Sequence, residues 1–311
     1  MASILPTVPM ESVVDEKTSR LLRRATTASV AVASTLVLVK LIAWLFTDSV
    51  SLLSTLIDSL LDVAASFLNL LAVRHALEPP DREHRFGHGK AEPLAGLAQA
   101  MFITGSAIFL LIEAGQRLIE PQEVSRPGLG IAVMVISIVA TFGLTRFQAY
   151  VIKRTKSVAI SADSLHYVGD LLTNVAVIVA IVLTAKFGWV YADPVLAIAI
   201  AFYILKTAWG ISNGALDMLM DRELPDDDRA QIKKIVLEHP GVMALHELKT
   251  RAAGPTSFIQ LHIEMDGDLP LREAHRIADE VEAALREAFT GAEVVIHQDP
   301  FGIETPRIVE P

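Results

Sequence analysis

Long apolar runs fill the first two thirds of the chain and stop near residue 210. Six of them, near 25–47, 50–77, 92–119, 128–152, 157–185 and 190–209, each reach the roughly 20 residues that a helix needs to cross a bilayer. They predict an all-α six-helix transmembrane bundle. Past residue 210 the pattern shortens. Pro225-Asp-Asp-Asp228 opens a helical stretch to Glu238, its acids complementing the helix dipole, and His239-Pro-Gly241 stops it. Residues 244–251 and 256–266 read as strands. In the second, Ile259, Leu261, Ile263 and Met265 alternate with Gln260, His262 and Glu264, so one face is apolar and the other polar. Residues 270–289 set Ile277, Val281, Ala284, Leu285 and Phe289 on one helical stripe, and a last strand covers 292–298. The tail is therefore a small α/β domain of order α-β-β-α-β, ferredoxin-like in kind. The expected division is a lead-in over 1–24, a membrane domain over 25–209 and a tail domain over 210–311.

Basic residues near the span ends orient the bundle. The lead-in holds Lys17, Arg20, Arg23 and Arg24, the second connector Arg74, Arg82, Arg85 and Lys90, and the fourth Arg146, Lys153, Arg154 and Lys156. The first connector, around Thr47-Asp48-Ser49, has no base; the third has Arg117 and Arg126 and the fifth only Lys186. By the positive-inside rule both termini are cytoplasmic. No cleavage-site pattern follows the first apolar run, so a removed signal peptide is not expected.

Composition narrows the chemistry. With 311 residues, 52% of them hydrophobic and 20% charged, the chain is too apolar for an ordinary soluble domain. It has no cysteine, so any metal site must use His, Asp, Glu or main-chain oxygen. Residues 1–220 hold 17 acids and 17 bases, whereas 221–311 hold 19 and 10, so the whole net charge of −9 lies in the tail. An acidic tail argues against nucleic acid as a partner and suits cations, as it would any solvated acidic domain.

Polar residues interrupt two of the spans. IDSLLDVAASFLN places Asp58 and Asp62 four apart on one helix face, with Ser66 and Asn69 continuing the stripe. ADSLHYVGDLLTN does the same with His166 and Asp170, with Asp163 a turn before and Asn174 a turn after. At 1.5 Å per residue, Asp58 and Asp62 lie about 12 and 18 Å from the outer end of their span, and His166 and Asp170 about 14 and 20 Å from the inner end of theirs. In a core of about 30 Å the two pairs overlap in depth. An aspartate there costs roughly 2.5–3.5 kcal/mol, which a dication held by Asp58, Asp62, His166 and Asp170 would offset. Three carboxylates and an imidazole suit Zn²⁺, with Cd²⁺ and Fe²⁺ admissible. The competing reading is a helix-packing network in which the acids are protonated or paired with Lys40 or Lys206, the cations at comparable depth. Asp163, nearer the cytoplasm, fits support of the ligands or an entrance better than ligation.

The connector DREHRFGHGK offers Asp81, His84 and His88. On spacing alone a metal site and a solvated loop are equally good readings. HRFGH has the interval of a zinc-protease motif, but Arg85 stands where the general base should be, so a hydrolase is not indicated. In the tail His262 lies on a strand's polar face, and ordinary surface histidines remain an alternative there.

DSLLD and HYVGD in the spans, DREHRFGHGKAE between them, and ALHELKTR, IQLHIEM, EAHRIAD and IHQDP in the tail, taken in this order, resemble the cation diffusion facilitators, in particular their bacterial zinc and iron efflux type. The resemblance covers nearly the whole chain. It implies a transport site of Asp58, Asp62, His166 and Asp170, and a second site of Asp81, His84 and His88. It implies a two-metal tail cluster from His246, His262, His275, His297 and Asp299, with Gln298 adjacent. It also implies a homodimer joined through the tails, and a hinge salt bridge between Lys90 and Asp221.

The expected function is efflux of a divalent metal, Zn²⁺ foremost and Cd²⁺ or Fe²⁺ besides, across the bacterial inner membrane by proton antiport with alternating access. Protons and metal would compete for the same atoms, with His166, of ordinary pKa about 6.5, as the natural carrier. A membrane-anchored metal sensor or scaffold is the alternative, and it leaves the mid-membrane acids without a purpose.

Overall fold

A computed structural model describes residues 15–47, 50–119 and 128–303. Most of the lead-in, Asp48-Ser49 of the first connector, Arg126 of the third and the last eight residues lie outside the described residues.

Six helices form the first part: α1 (Glu16–Thr47), α2 (Val50–Ala76), α3 (Ala91–Ile119), α4 (Gly128–Thr155), α5 (Val158–Phe187) and α6 (Ala192–Leu219). All six are long and apolar enough to cross a membrane. Their polarity is arranged inside out. Leu45, Phe46, Phe109, Val139, Phe202 and Trp209 are exposed, whereas Thr26, Ser29, Ser66, Asn69, Gln99, Thr141, Gln148 and Asp163 are buried. Small residues, among them Ala33, Ala100, Ala107, Ala159, Ala162, Ala201 and Ala208, fill the remaining buried positions and let the helix backbones approach.

Local signals set the ends of α5, the helix that carries HYVGD. Ser157 caps its start, its hydroxyl accepting from the N–H of Ile160 at 3.1 Å, and Gly188 ends it at φ 66°. The buried carboxylate of Glu92 in α3 also accepts from Ser157 and from the N–H groups of Val158 and Ala159, tying the first turn of α3 to that of α5. α6 runs past the sixth apolar run to Leu219. Gly210 and Gly214 do not break it, because Ala208 and Ala215 stay buried against neighbours on either side of them. The helix stops where Asp221 turns left-handed at φ 57°.

The chain separates into two compact units. Among the described residues one holds Thr18–Ala76 and Ala91–Leu216; the other holds Asp15–Lys17, Leu77–Lys90 and Asp217–Ile303. The DREHRFGHGK connector thus belongs with the tail, a grouping that sequence order does not suggest.

The tail has α7 (Asp226–Leu237), β1 (Ala244–Ala253), β2 (Thr256–Met265), α8 (Leu271–Ala288) and β3 (Glu293–Pro300), the α-β-β-α-β order read from the sequence. β1 and β2 form an antiparallel hairpin turning at Gly254, and α8 carries the chain back so that β3 pairs parallel with β2, giving the order β1-β2-β3. Ile232 and Val236 of α7 and Ile277, Val281 and Leu285 of α8 cover one face of the sheet, against Ile259, Leu261, Ile263 and Val294. The strands outlast their expected ends, to Ala253 and Pro300, because the ladder continues to Ala253↔Thr256 and Met265↔Pro300.

Candidate metal centres

In the membrane unit, α2 and α5 meet through a ladder of polar rungs. Asn69 donates to the carbonyl of Ala159 at 3.4 Å, Ser66 and the Tyr167 hydroxyl lie 2.7 Å apart, and one level on, His166 Nε2 is 2.9 Å from Asp62 Oδ1. On α2 the rungs step by three and four residues, from 69 to 66 to 62, and they meet Ala159, Tyr167 and His166 of α5, so the stripe in IDSLLDVAASFLN and that in ADSLHYVGDLLTN face one another. His166 Nε2 is also 3.7 Å from Asp170 Oδ2. Ligand atoms of Asp62, His166 and Asp170 all lie within 4.8 Å of one another. Tetrahedral zinc with bonds of about 2.0–2.1 Å needs ligand atoms about 3.3 Å apart, and these separations bracket that value. Asp58 is not in this tight group. It lines the same cavity of about 770 Å³, together with Lys40, Ser59, Glu113, Thr173 and Asn174.

Asp163 is completely buried and is not among the residues lining that cavity. Its carboxylate accepts from Ser29 of α1 (2.5 Å), Ser66 of α2 (3.4 Å), Gln99 of α3 (3.2 Å) and Gln148 of α4 (2.7 Å). It therefore sits off that cavity, packed among the helices. A buried carboxylate tolerates the interior when its lone pairs are met, and here four neutral donors meet them.

In the other unit the connector folds around Asp81. Its Oδ1 accepts from the N–H groups of Glu83 (2.8 Å) and His84 (2.6 Å), an Asx turn, and Gly87 at φ 76° brings the chain back. The N–H of His84 holds the Asp81 carboxyl below the usual carboxylate range against slight desolvation, with Glu83 assisting. His84 Nδ1 lies 3.4 Å from Asp81, His88 Nε2 lies 3.3 Å from Asp81, and the two histidine nitrogens are 3.2 Å apart. Three ligand atoms at such spacing suit one tetrahedral dication. Phe86 seats the connector, edge-on to Phe258 with ring centres 6.0 Å apart and beside Arg251 at 5.3 Å. Gly89 must be glycine, because a Cβ there would come 2.2 Å from the carbonyl oxygen of Ala253. Lys90 Nζ lies 2.9 Å from Asp221 Oδ1, which Arg251 also approaches at 3.2 Å.

On the sheet face away from α7 and α8, strand register lines up three histidines: His246 pairs with His262, and His262 with His297. Asp299, 3% exposed, sits among them, with Oδ2 2.9 Å from His262 Nδ1 and 3.4 Å from His246 Nε2, and Oδ1 3.1 Å from His297 Nε2. Its low exposure places it under the row. His275 does not join this group. It is exposed on α8, 3.6 Å from Asp279, and shares a shallow depression with Gln298, Leu271 and Arg272. Two acids escaped the sequence reading. Glu264 is buried 3.5 Å from His246, and Glu247 lies 3.9 Å from His262. Glu264 had a signal, the alternation that puts it beside His262. Glu247 had none, because it reaches the face through an irregularity between His246 and Lys249 with its own φ at 46°.

The cation efflux transmembrane domain matches residues 26–220, and the cytoplasmic domain of cation efflux proteins matches 224–301. The cation-efflux pump FieF of Salmonella choleraesuis is 49% identical over 288 residues, covering 93% of this chain and 95% of that protein, and FieF of Salmonella enteritidis matches to the same extent. Among solved structures, a zinc form of CzrB is 40% identical over 27% of this chain and 98% of its own, with a TM-score of 0.26. The metal-bound C-terminal domain of CzcD from Thermotoga maritima is 28% identical over 25% of this chain and 93% of its own, with a TM-score of 0.24.

Proposed function

The chain belongs to the cation efflux family, the cation diffusion facilitators, and from that premise we propose that it exports a divalent metal ion, zinc foremost with cadmium and iron(II) admissible, in exchange for protons. It is a multi-pass membrane protein and a cation efflux transporter. The finer reading is carried by one observation: Asp62, His166 and Asp170, from two helices that start at opposite ends of the bundle, converge within a cavity that Asp58 also lines.

The substrate ion is held by carboxylate oxygens and one imidazole nitrogen, with Asp58 closing on it as the fourth ligand. Each of these atoms binds either a proton or the metal. His166 Nε2 faces Asp62, so in the absence of metal a proton between them satisfies both, and an arriving dication must expel it. Opening to the cytoplasm loads the metal and releases protons; opening to the other side reverses the exchange. Both termini are cytoplasmic in this reading, in a bacterial inner membrane, which puts the two remaining sites where cytoplasmic metal reaches them. Asp81, His84 and His88 form one. His246, His262, His297 and Asp299 form the other, with His275 and Gln298 at its margin. The tails pair two copies into a homodimer, and tail metal shifts the transport equilibrium to the extent that it binds one conformation better.

Zinc flux driven by a proton gradient in proteoliposomes tests the assignment. Asp62→Ala should lower the flux by at least about 100-fold, the loss typical of an essential group. Parent-like flux in that variant refutes the site.

A further inference from the structure

Lys40 does not belong to any ligand set, yet it lines the same cavity as Asp58, Asp62, His166 and Asp170. Among the described residues lining that cavity it is the one Lys or Arg, facing three aspartates and, further along the wall, Glu113. Its ammonium is not paired directly with any of them. Nζ donates to the Ser59 hydroxyl at 2.5 Å and to the Thr55 carbonyl at 3.3 Å, both on α2, and no ion pair of Lys40 occurs among the described residues. Ser59 is itself 3% exposed, so the tether has a buried anchor on α2, with Lys40 half-buried above it. Thr55 and Ser59 bracket Asp58 and lie on the same helix as Asp62, which fixes the charge beside the ligands without touching them.

An ammonium held inside a membrane bundle is costly unless something in the site requires it. A helix tie does not, since a neutral donor would serve Ser59 and Thr55 equally well. What an ammonium adds is a permanent positive charge in a chamber that otherwise collects carboxylates. That charge attracts the aspartates when the metal has left and repels the dication when it is bound, and both effects make release easier. Sites that must pass an ion on need this restraint, since a ligand set tuned only for capture does not let go.

Resting on the transport-site assignment above, we propose that Lys40 is an affinity-setting residue: a tethered internal cation that substitutes for the departed metal's charge and weakens the hold of the site on zinc. Replacing it by a neutral side chain deepens the well, so the ion binds more tightly and leaves more slowly.

Zinc flux into proteoliposomes from the full-length protein tests this through the separation of KM from maximal rate. Lys40→Gln should lower KM for zinc about tenfold and lower the maximal rate severalfold, because slow release depresses both. Lys40→Arg, which keeps the charge, should restore both to within about threefold of the parent. A lower KM is a gain that a misfolded or loosened bundle does not produce. KM unchanged or raised in Lys40→Gln, or Lys40→Arg behaving like Lys40→Gln, overturns the proposal. Asp62→Ala, run alongside, separates the two readings: flux surviving in that variant sinks the site assignment, whereas Asp62→Ala inactive and Lys40→Gln parent-like sinks only the role of Lys40.

Discussion

The carboxylate of Asp163 accepts from donors on four different helices, and its surroundings, more than its position in the chain, decide its role. From the sequence it is one more acid a turn away from His166; with Ser29, Ser66, Gln99 and Gln148 around it, it is the knot of the bundle. Asp163→Ala leaves those donors buried without an acceptor, at about 1–3 kcal/mol for each that fails to find another partner. The melting temperature of the detergent-solubilised protein should drop by about 5–10 °C, and by less for Asp163→Asn, which keeps one acceptor and the volume. An unchanged melting temperature in Asp163→Ala would mean that the knot contributes nothing to stability. His166 and Asp62 illustrate the reverse case. Their i, i+4 partners marked the faces in advance, because a carboxylate in an apolar run is costly enough to need a reason.

Among the elements, the connector is where sequence and structure differ most in what they tell. Spacing left DREHRFGHGK undecided between a loop and a ligand set. The Asx turn at Asp81, the left-handed Gly87 and the close approach of Gly89 to Ala253 are what draw Asp81, His84 and His88 together. The same connector ends at Lys90, whose ion pair with Asp221 gives a pH-dependent contact. Burial alone would raise the Asp221 carboxyl, but the hydrogen bond from Lys90 and the charge of Arg251 prevail and hold it below the usual carboxylate range. A carboxyl depressed in the folded state stabilises that state above its unfolded pKa of about 3.9, and the contribution disappears as pH falls through the depressed value. Both partners are nearly half exposed, so the effect is no more than about 1 kcal/mol. Asp221→Asn should therefore increase amide exchange in the connector at neutral pH and make no difference once the pH lies well below that depressed value. A difference of equal size at both pH values would assign the effect to something other than the ion pair.

At the scale of the whole molecule, the tail presents a face where three histidines and two buried acids, Asp299 and Glu264, crowd together. Such a face is uncomfortable without a cation, since the acids repel and the imidazoles compete for the same carboxylate oxygens. In the proposed reading, zinc bound there would stabilise the tail by about 4 kcal/mol at a thousandfold excess over its dissociation constant. Adding a chelator to the zinc-loaded full-length protein should speed amide exchange in β1 and β3, and His246→Ala should abolish that response. Exchange indifferent to chelation would remove metal from the account of the tail. His275 is expected to be a bystander within one chain, given its exposure and its pairing with Asp279.

The sequence by itself determined the class of the molecule: six spans, an α-β-β-α-β tail, and two acid-bearing helix faces at matching depth. Hydrophobic period and the cost of charge in lipid are local properties, so they can be read along the chain. Tertiary structure alone decided which polar atoms meet. It drew Asp62 to His166 while leaving Asp58 on the cavity wall, buried Asp163 in a knot, placed Lys40 beside the ligands, and brought Glu247 and Glu264 next to the histidines through an irregular strand and its register. Those outcomes depend on how helices rotate and strands slip against one another, which is fixed by packing between residues far apart in the chain.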